Sequence, residues 1–246
     1  MAKRPVFRTH DLGPSLVESE LIEFKFHNGM AIEQKRKSIA ELHYAISQKY
    51  PSSKILEVST KSLNPLGIKL SAFNLKIQDK KRNLTYSVES AYQSSKVFEK
   101  GGPYIDILKK SSLEAKKDER ILNSGALIGF EFFNTKWGVV PQTAFYDWLY
   151  INALNLEKSL HDELIKYHCF TDIEFNPLKS VNCQAHSVAL FSSLYKRNLL
   201  DSIKSPEFFL RLYHEYRIFD LPNSGKIQYI EIEHYPRMTK KKIREN

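Results

Sequence analysis

The stretch from Thr143 to Ile165 constrains the fold more than any other, because it sets Phe145, Tyr146, Trp148, Leu149, Leu154, Leu160 and Leu164 at helical spacing. A helix with that many large apolar side chains needs other elements laid against it, so a long amphipathic helix is expected here, with these residues in the core. A second segment of the same kind runs from Val181 to Leu200, with Val188, Ala189, Phe191, Leu194 and Tyr195 on its apolar face. With 246 residues, 42% of them hydrophobic and 12% aromatic, the chain has apolar material for one large core or two modest ones. One globular unit with elaborations is the expected organisation.

Shorter elements surround these two helices. Leu21, Ile22, Phe24 and Phe26 alternate partially between Val17 and Phe26, and His27-Asn28-Gly29 follows, which reads as a strand entering a turn. Ile39, Leu42, His43 and Ile46 predict a helix over Ile32 to Tyr50, stopped by Pro51. Ile55 to Ser59 reads as a short strand and Asn64-Pro65-Leu66-Gly67 as a loop; Leu70 to Ile77 leads to a polar turn at Asp79 to Asn83. A helix is expected from about Ser87 to Glu99, ended by Gly101-Gly102-Pro103. Tyr104 to Leu108 and Ser112 to Ile121 read as two further short helices, and Phe170 to Lys179 as irregular. Beyond Pro206 a helix or strand reaches Tyr216, followed by a turn at Pro222-Asn223-Ser224-Gly225 and an alternating strand, Ile227 to Ile232. The fold class is therefore α+β, predominantly helical, with short strands from the N- and C-terminal regions. Residues 1–60 are expected as a strand-helix-strand extension, 61–200 as the core, and 201–246 as an extension with a strand and a basic tail.

No apolar run approaches the length needed to span a bilayer, and Met1-Ala2-Lys3-Arg4-Pro5-Val6-Phe7 lacks the apolar stretch of a signal peptide. A soluble, cytoplasmic protein without a membrane partner is expected. Cys169 and Cys183 are too few for a disulfide framework and lack metal-site spacing, which predicts a reducing compartment and no structural zinc. A formal charge of +9 suits polyanionic partners. Part of the excess is terminal (Lys3, Arg4, Arg8; Lys240, Lys241, Lys242, Arg244), which fits solubilising tails as well as nucleic-acid contact.

Chemistry concentrates in the helix expected from Ser87. Glu89, Gln93 and Lys96 stand at i, i+4 and i+7 there and share one face with Tyr92. A carboxylate, an amide and an amine on one stripe suit glycosidic cleavage: they can orient a sugar, activate a water and handle an aldehyde-like carbon. The spacing alone also fits a solvated face with a Glu–Lys pair. His43, His161, His168 and His186 have no ligand spacing. Of the two tryptophans, Trp148 falls in the amphipathic helix and reads as core, whereas Trp137, in a polar loop beside Gly138, is the better candidate for stacking a base.

The segment Ser87-Val88-Glu89-Ser90-Ala91-Tyr92-Gln93-Ser94-Ser95-Lys96-Val97-Phe98 resembles the signature helix of the NADAR (YbiA-like) N-glycosidases. Leu70-Ser71-Ala72-Phe73-Asn74 is similar to that family's Phe-Ser-Asn-Phe segment. Ser111-Ser112-Leu113-Glu114-Ala115 stands at its Ser-Ser and Ala, and Asn134-Thr135-Lys136-Trp137 at its Asn-Trp element. The last motif departs: where the family has a glycine-rich Trp-Gly-Asp-Gly loop and a Gly-x-Asn, this chain has Phe170 to Pro177 and then Ser180 to Ala185. Asp172 and Asn182 match the family's Asp and Asn without the glycines, which implies a different pocket shape.

The whole chain more closely resembles the NADAR antitoxins paired with DarT toxins. The resemblance implies an N-glycosidase that removes ADP-ribose from guanine in DNA, with the toxin as a further partner, ADP-ribose as product and no cofactor or metal. Glu89 and Asp172 would flank the scissile bond, and Lys96 would either pair with phosphate or form a Schiff base with the opened ribose. Gln93 and Asn182, with Tyr92 and Asn74 beside them, would hold the sugar. Phe73 and Trp137 would sandwich a base, and Ser71, Ser111 or Ser112 would meet the diphosphate. Two other readings stay open: hydrolysis of a free phosphoribosyl-amine metabolite, and a non-catalytic module that binds nucleic acid or a toxin.

Overall fold

A computed structural model describes residues 1–178, 180–216 and 218. Strands β1 (Ala2–Thr9) and β2 (Val17–Phe24) precede helix α1 (Ile32–Lys49) and strand β3 (Ile55–Glu57). Next come α2 (Pro65–Lys69), the hairpin β4 (Lys76–Asp79) and β5 (Leu84–Ser87), α3 (Val88–Ser94), β6 (Lys96–Phe98), α4 (Ser112–Lys116) and α5 (Glu119–Asn123). Strands β7 (Leu127–Phe132) and β8 (Thr135–Trp137) lead to α6 (Ala144–Leu156), α7 (His161–Leu164), β9 (Cys169–Thr171), α8 (Gln184–Lys196) and α9 (Pro206–Glu215). The class is α+β, as expected. The C-terminal strand and basic tail expected beyond residue 218 lie outside the described residues.

One four-stranded sheet has the order β2-β1-β9-β3, with β1 antiparallel to both neighbours and β3 parallel to β9. Its two faces are covered by different layers. Val6 and Cys169 face α1, where Ile39, Leu42 and Ile46 line one side of the helix, while Phe7 and Phe170 face the main core around α6 and α8. Strand β1 has Pro5 in its middle, which a doubly paired strand tolerates only where no hydrogen bond is owed. The pairing with β9 is confined to Phe7 and Arg8, so Pro5 lies beyond it. The start of the chain, read from sequence as a basic tail, is thus an interior strand whose Val6 and Phe7 are fully buried. Likewise β9 replaces part of the irregular stretch expected at Phe170 to Lys179.

Three helices are shorter than the sequence predicts. α6 stops at Leu156, and a 3-10 turn at Lys158–Leu160 separates it from α7. The His161 ring nitrogen Nε2 lies 2.9 Å from the Leu154 carbonyl and meets one of the carbonyls the helix end leaves open. The expected helix over Ser112 to Ile121 is two helices, because Asp118 caps α5 by accepting from the Arg120 N–H. α3 ends at Ser94, where the Ser94 and Ser95 hydroxyls both reach the Ala91 carbonyl, at 2.9 and 2.7 Å, competing with the backbone ladder. The chain then enters β6, which pairs with β7 as the edge of the three-stranded sheet β6-β7-β8.

The helical side is pinned by Asp147 on α6, which is 1% exposed. It accepts from Ser187 of α8 and Tyr213 of α9, with His186 Nδ1 3.2 Å away. Removing one donor to a buried carboxylate should lower the unfolding free energy by roughly 1.5–3 kcal/mol. Tyr213→Phe should therefore shift the denaturant midpoint without changing the slope, and an unchanged midpoint would show that α9 is not held through this bond. Among the described residues no helix is long and apolar enough to cross a membrane.

Candidate active site

Glu89 is the second residue of α3. Strand β5 feeds directly into this helix, and Ser87 Oγ caps it by accepting from the Ser90 N–H at 3.0 Å. The Glu89 N–H donates to the Ala72 carbonyl at 3.0 Å, which stitches the loop of residues 71–74 against the first turn. The side chain is 8% exposed. Its Oε1 accepts from Gln93 Nε2 at 2.9 Å one turn on, whereas Oε2 accepts no hydrogen bond among the described residues.

Lys96 is not on the helical stripe with Glu89 and Gln93, because α3 has ended and the lysine belongs to β6, opposite Phe130 of β7. It still reaches the same place. Its Nζ stands 4.8 Å from the centre of the Tyr92 ring. Burial lowers the proton affinity of this amine; the Glu89 charge opposes that shift and the Lys116 charge adds to it. The Tyr92 hydroxyl accepts from Asn182 Nδ2 at 2.6 Å, and its ring meets Tyr146 edge-on at 5.1 Å and Phe130 at 5.5 Å. Burial raises the proton affinity of that hydroxyl; the bond from Asn182 works against the rise and the Glu89 charge with it.

Asp172 follows β9 and is 6% exposed. Its Oδ1 accepts from the Glu174 N–H at 3.0 Å and its Oδ2 from Gln184 Nε2 at 2.9 Å. The other end of Gln184 accepts from the Ala72 N–H at 2.7 Å. Ala72 is therefore tied on one side to Glu89 and on the other, through one amide, to Asp172.

Behind Asp172 lies Glu57 of β3, 2% exposed. It accepts from Thr171 Oγ1 at 2.6 Å and from the Ile173 N–H at 2.8 Å, and so clamps both neighbours of Asp172. The Thr171 hydroxyl lies 2.9 Å from His43 Nε2, and burial pulls that imidazole down to about 4. Burial and the Glu57 charge together hold the Asp172 carboxyl well above the usual carboxylate range.

Several polar atoms here are buried and have no hydrogen-bond partner among the described residues: Ser71 Oγ, Gln93 Oε1 and Asn182 Oδ1. Each such atom costs about 1–3 kcal/mol if nothing meets it, so together they mark a place built to receive a polar ligand. The structure thus bonds Glu89 to Gln93 and Tyr92 to Asn182, sets Lys96 over the Tyr92 ring with the Glu89 charge acting on both, and links Asp172 and Ser71 to them through the Ala72 loop. Ser112 stands behind that loop, its Oγ 2.8 Å from the Phe73 carbonyl and 2.7 Å from Ser87 Oγ. Phe73 is half-buried, 5.5 Å below Lys116 Nζ, and Asn74 is exposed, donating to the Ile68 carbonyl at 2.9 Å.

Trp137 is not in a polar loop. It ends β8, 6% exposed, packed on Phe145 and Trp148 with ring centroids 5.8 and 5.2 Å away. One ring separates it from Tyr92, since Phe145 stacks on both Tyr92 and Phe130. Its Nε1, too, is buried without a partner among the described residues.

Three residues at the site went unnoticed in the sequence. Gln184 carried a signal, since a polar residue opening an otherwise apolar helix two places after Asn182 is a natural candidate for a tie. Glu57 gave none, because one carboxylate in a short strand reads as solvent-facing. Tyr146 reads as core and is buried, yet after burial it is the Glu89 charge that most raises the proton affinity of its hydroxyl, with Asp172 also contributing. Among the described residues no group of three or more His, Cys, Asp or Glu is gathered as a metal site.

The profile of a family described as NADAR-DarT1, the DarT1-associated NADAR antitoxin, matches residues 2–220. No curated protein matches the chain.

Proposed function

Because the chain belongs to the family of DarT1-associated NADAR antitoxins, we propose that it is an N-glycosidase of the cytoplasm that removes ADP-ribose from guanine bases of DNA, undoing the modification made by a cognate DarT toxin. The observation that carries this reading is the set of unpartnered polar atoms of Ser71, Gln93 and Asn182 beside the unbonded Oε2 of Glu89 and the amine of Lys96. Ribose hydroxyls and a diphosphate would supply the donors and charges that these groups lack. The formal charge of +9 favours a DNA-borne substrate over a small metabolite.

In the proposed reaction Glu89 orients the ribose hydroxyls and stabilises positive charge at the anomeric carbon. Lys96, whose proton affinity burial lowers, adds the electron pair of its free amine to that carbon, and the ring oxygen leaves as a hydroxyl with the proton the amine gives up. Collapse of the aminal expels guanine, which takes the electron pair of the broken C–N bond and the proton of the Asp172 carboxyl, and leaves an iminium on Lys96. Asp172, made a stronger base by its raised proton affinity, takes a proton from the water that hydrolyses the iminium and returns the free amine. Gln93, Asn182, Tyr92 and Asn74 hold the sugar, Ser71 meets the diphosphate and Phe73 the base, while Ser112 holds the Phe73 carbonyl in place and Trp137 backs the Phe145 ring that stacks on Tyr92.

The test is to incubate the protein with an oligonucleotide carrying ADP-ribosylated guanine. The expected products are free ADP-ribose and an intact, unmodified oligonucleotide. An unchanged oligonucleotide beside a hydrolysed phosphoribosyl-amine would move the activity to small metabolites.

A further inference from the structure

We propose that the adjoining tips of hairpins β4–β5 and β7–β8 form a basic rim that grips the phosphodiester backbone of single-stranded DNA next to the candidate site. The inference rests on the reading that the substrate base is carried on DNA. Lys80, Lys81 and Arg82 lie at the tip of the first hairpin, Lys76 begins it, and Lys136 projects from β8; all five are exposed. None of the four lysines is in an ion pair among the described residues, while Arg82 pairs with Asp79 at 2.7 Å.

The two tips are joined by aromatic contacts. The Arg82 guanidinium carbon is 3.6 Å from the centre of the Phe133 ring, and Tyr86 lies 6.4 Å from both Phe132 and Phe133. Phe133 and Asn134 turn the second hairpin at φ 45° and 68°. Positive φ at both central positions is where Asn-Gly sits without strain, whereas a phenylalanine there costs about 1–2 kcal/mol. The sequence tolerates that cost and thereby keeps an aromatic ring under an arginine at the outer edge of two basic hairpins. Arginine and aromatic faces interleaved with lysines are what a single strand needs, with cations for phosphates and flat faces for unstacked bases.

The rim is continuous with the site. β5 runs four residues, about 13 Å, from the first tip to the Ser87 cap of α3, which carries Glu89. β7 pairs Phe130 with Lys96, and the Phe130 ring lies 5.5 Å from Tyr92. A strand held along both tips would thus present one nucleotide at the candidate site and its neighbours to the lysines. Single-stranded DNA is the form that fits, because the base must leave any stack to enter.

The test compares two charge-reversed full-length proteins. One carries Lys80→Glu, Lys81→Glu and Lys136→Glu. The other carries Lys3→Glu, Lys25→Glu and Lys37→Glu, exposed residues around β1, β2 and α1, and has the same net charge. Affinity for a labelled unmodified single-stranded oligonucleotide is measured across salt concentrations, together with turnover of ADP-ribosylated guanosine. The rim variant should bind about tenfold or more weakly at low salt, with the slope of log K against log salt flattened by about 2, while the nucleoside is turned over as before. The control should bind nearly as the unaltered protein does. Equal weakening of both variants would overturn the proposal in favour of long-range charge alone, as would unaltered binding by the rim variant. If the unaltered protein releases no ADP-ribose from either the modified oligonucleotide or the nucleoside, the proposed activity falls, and the oligonucleotide binding still decides the rim.

Discussion

Glu89→Gln should lower the rate of ADP-ribose release by about a thousandfold or more, the scale on which a group stabilising charge at the reacting carbon acts. Its thermal midpoint should stay close to that of the unaltered protein. Glutamine has the shape of glutamate, so one oxygen can still accept from Gln93 Nε2 as Oε1 does now. The other end carries no hydrogen bond among the described residues, so replacing that oxygen by an amide breaks no bond made there. A neutral side chain at 8% exposure is also the easier one to bury. Rate and stability should therefore separate. The measurement is chromatographic release of ADP-ribose beside a melting curve, and undiminished release would take Glu89 out of the reaction. Glu89→Asp, which keeps the charge but withdraws it by one methylene, supplies the answer if the glutamine variant proves unstable.

Lys96→Arg should be inactive to a similar degree, again about a thousandfold, although the positive charge is kept. A guanidinium stays protonated at any pH where the protein is folded, and so has no electron pair to offer the anomeric carbon. The lysine amine differs, since burial pushes its proton affinity down. Borohydride added during turnover should fix an ADP-ribosyl adduct to Lys96, found by mass spectrometry of the digested protein. A variant that is active with arginine, together with no adduct in the unaltered protein, would reduce Lys96 to a charge contact and leave Glu89 and Asp172 as the reacting pair.

The sequence was most legible where one local rule governed the outcome. α1 begins at the expected Ile32 and ends one residue before the expected Tyr50, because its apolar stripe and Pro51 agree. Glu89 and Gln93 meet at the expected helical interval for the same reason. Rules that compete were harder to weigh. At Ser94 and Ser95 two hydroxyls and a β-branched Val97 outweigh helix continuation, and Lys96 passes from helix to strand. Non-local pairing was the least visible. β1 looked like a charged tail because Lys3, Arg4 and Arg8 surround the residues that are buried, and β9 is only three residues long. Trp137 read as a loop residue because the turn at Phe133 and Asn134 uses none of the usual glycine signal.

The clamp of Glu57 on Thr171 and Ile173 joins residues 114 and 116 positions apart. It therefore fixes when, during synthesis, the site can exist. At about 5–20 residues per second a ribosome needs roughly 6–23 s to pass from one end of that clamp to the other. Throughout that interval β1 and β3 lack the strand that fills the gap between them, and from residue 98 onward the motif around Glu89 has been made without Asp172, Asn182 or Gln184. A chain that stalls or terminates within this window carries the recognisable signature but has no second carboxylate to complete it. Protection by such an antitoxin is then set by completed chains per unit time, and a chain ended between residues 98 and 171 contributes nothing to it although it carries the whole motif around Glu89.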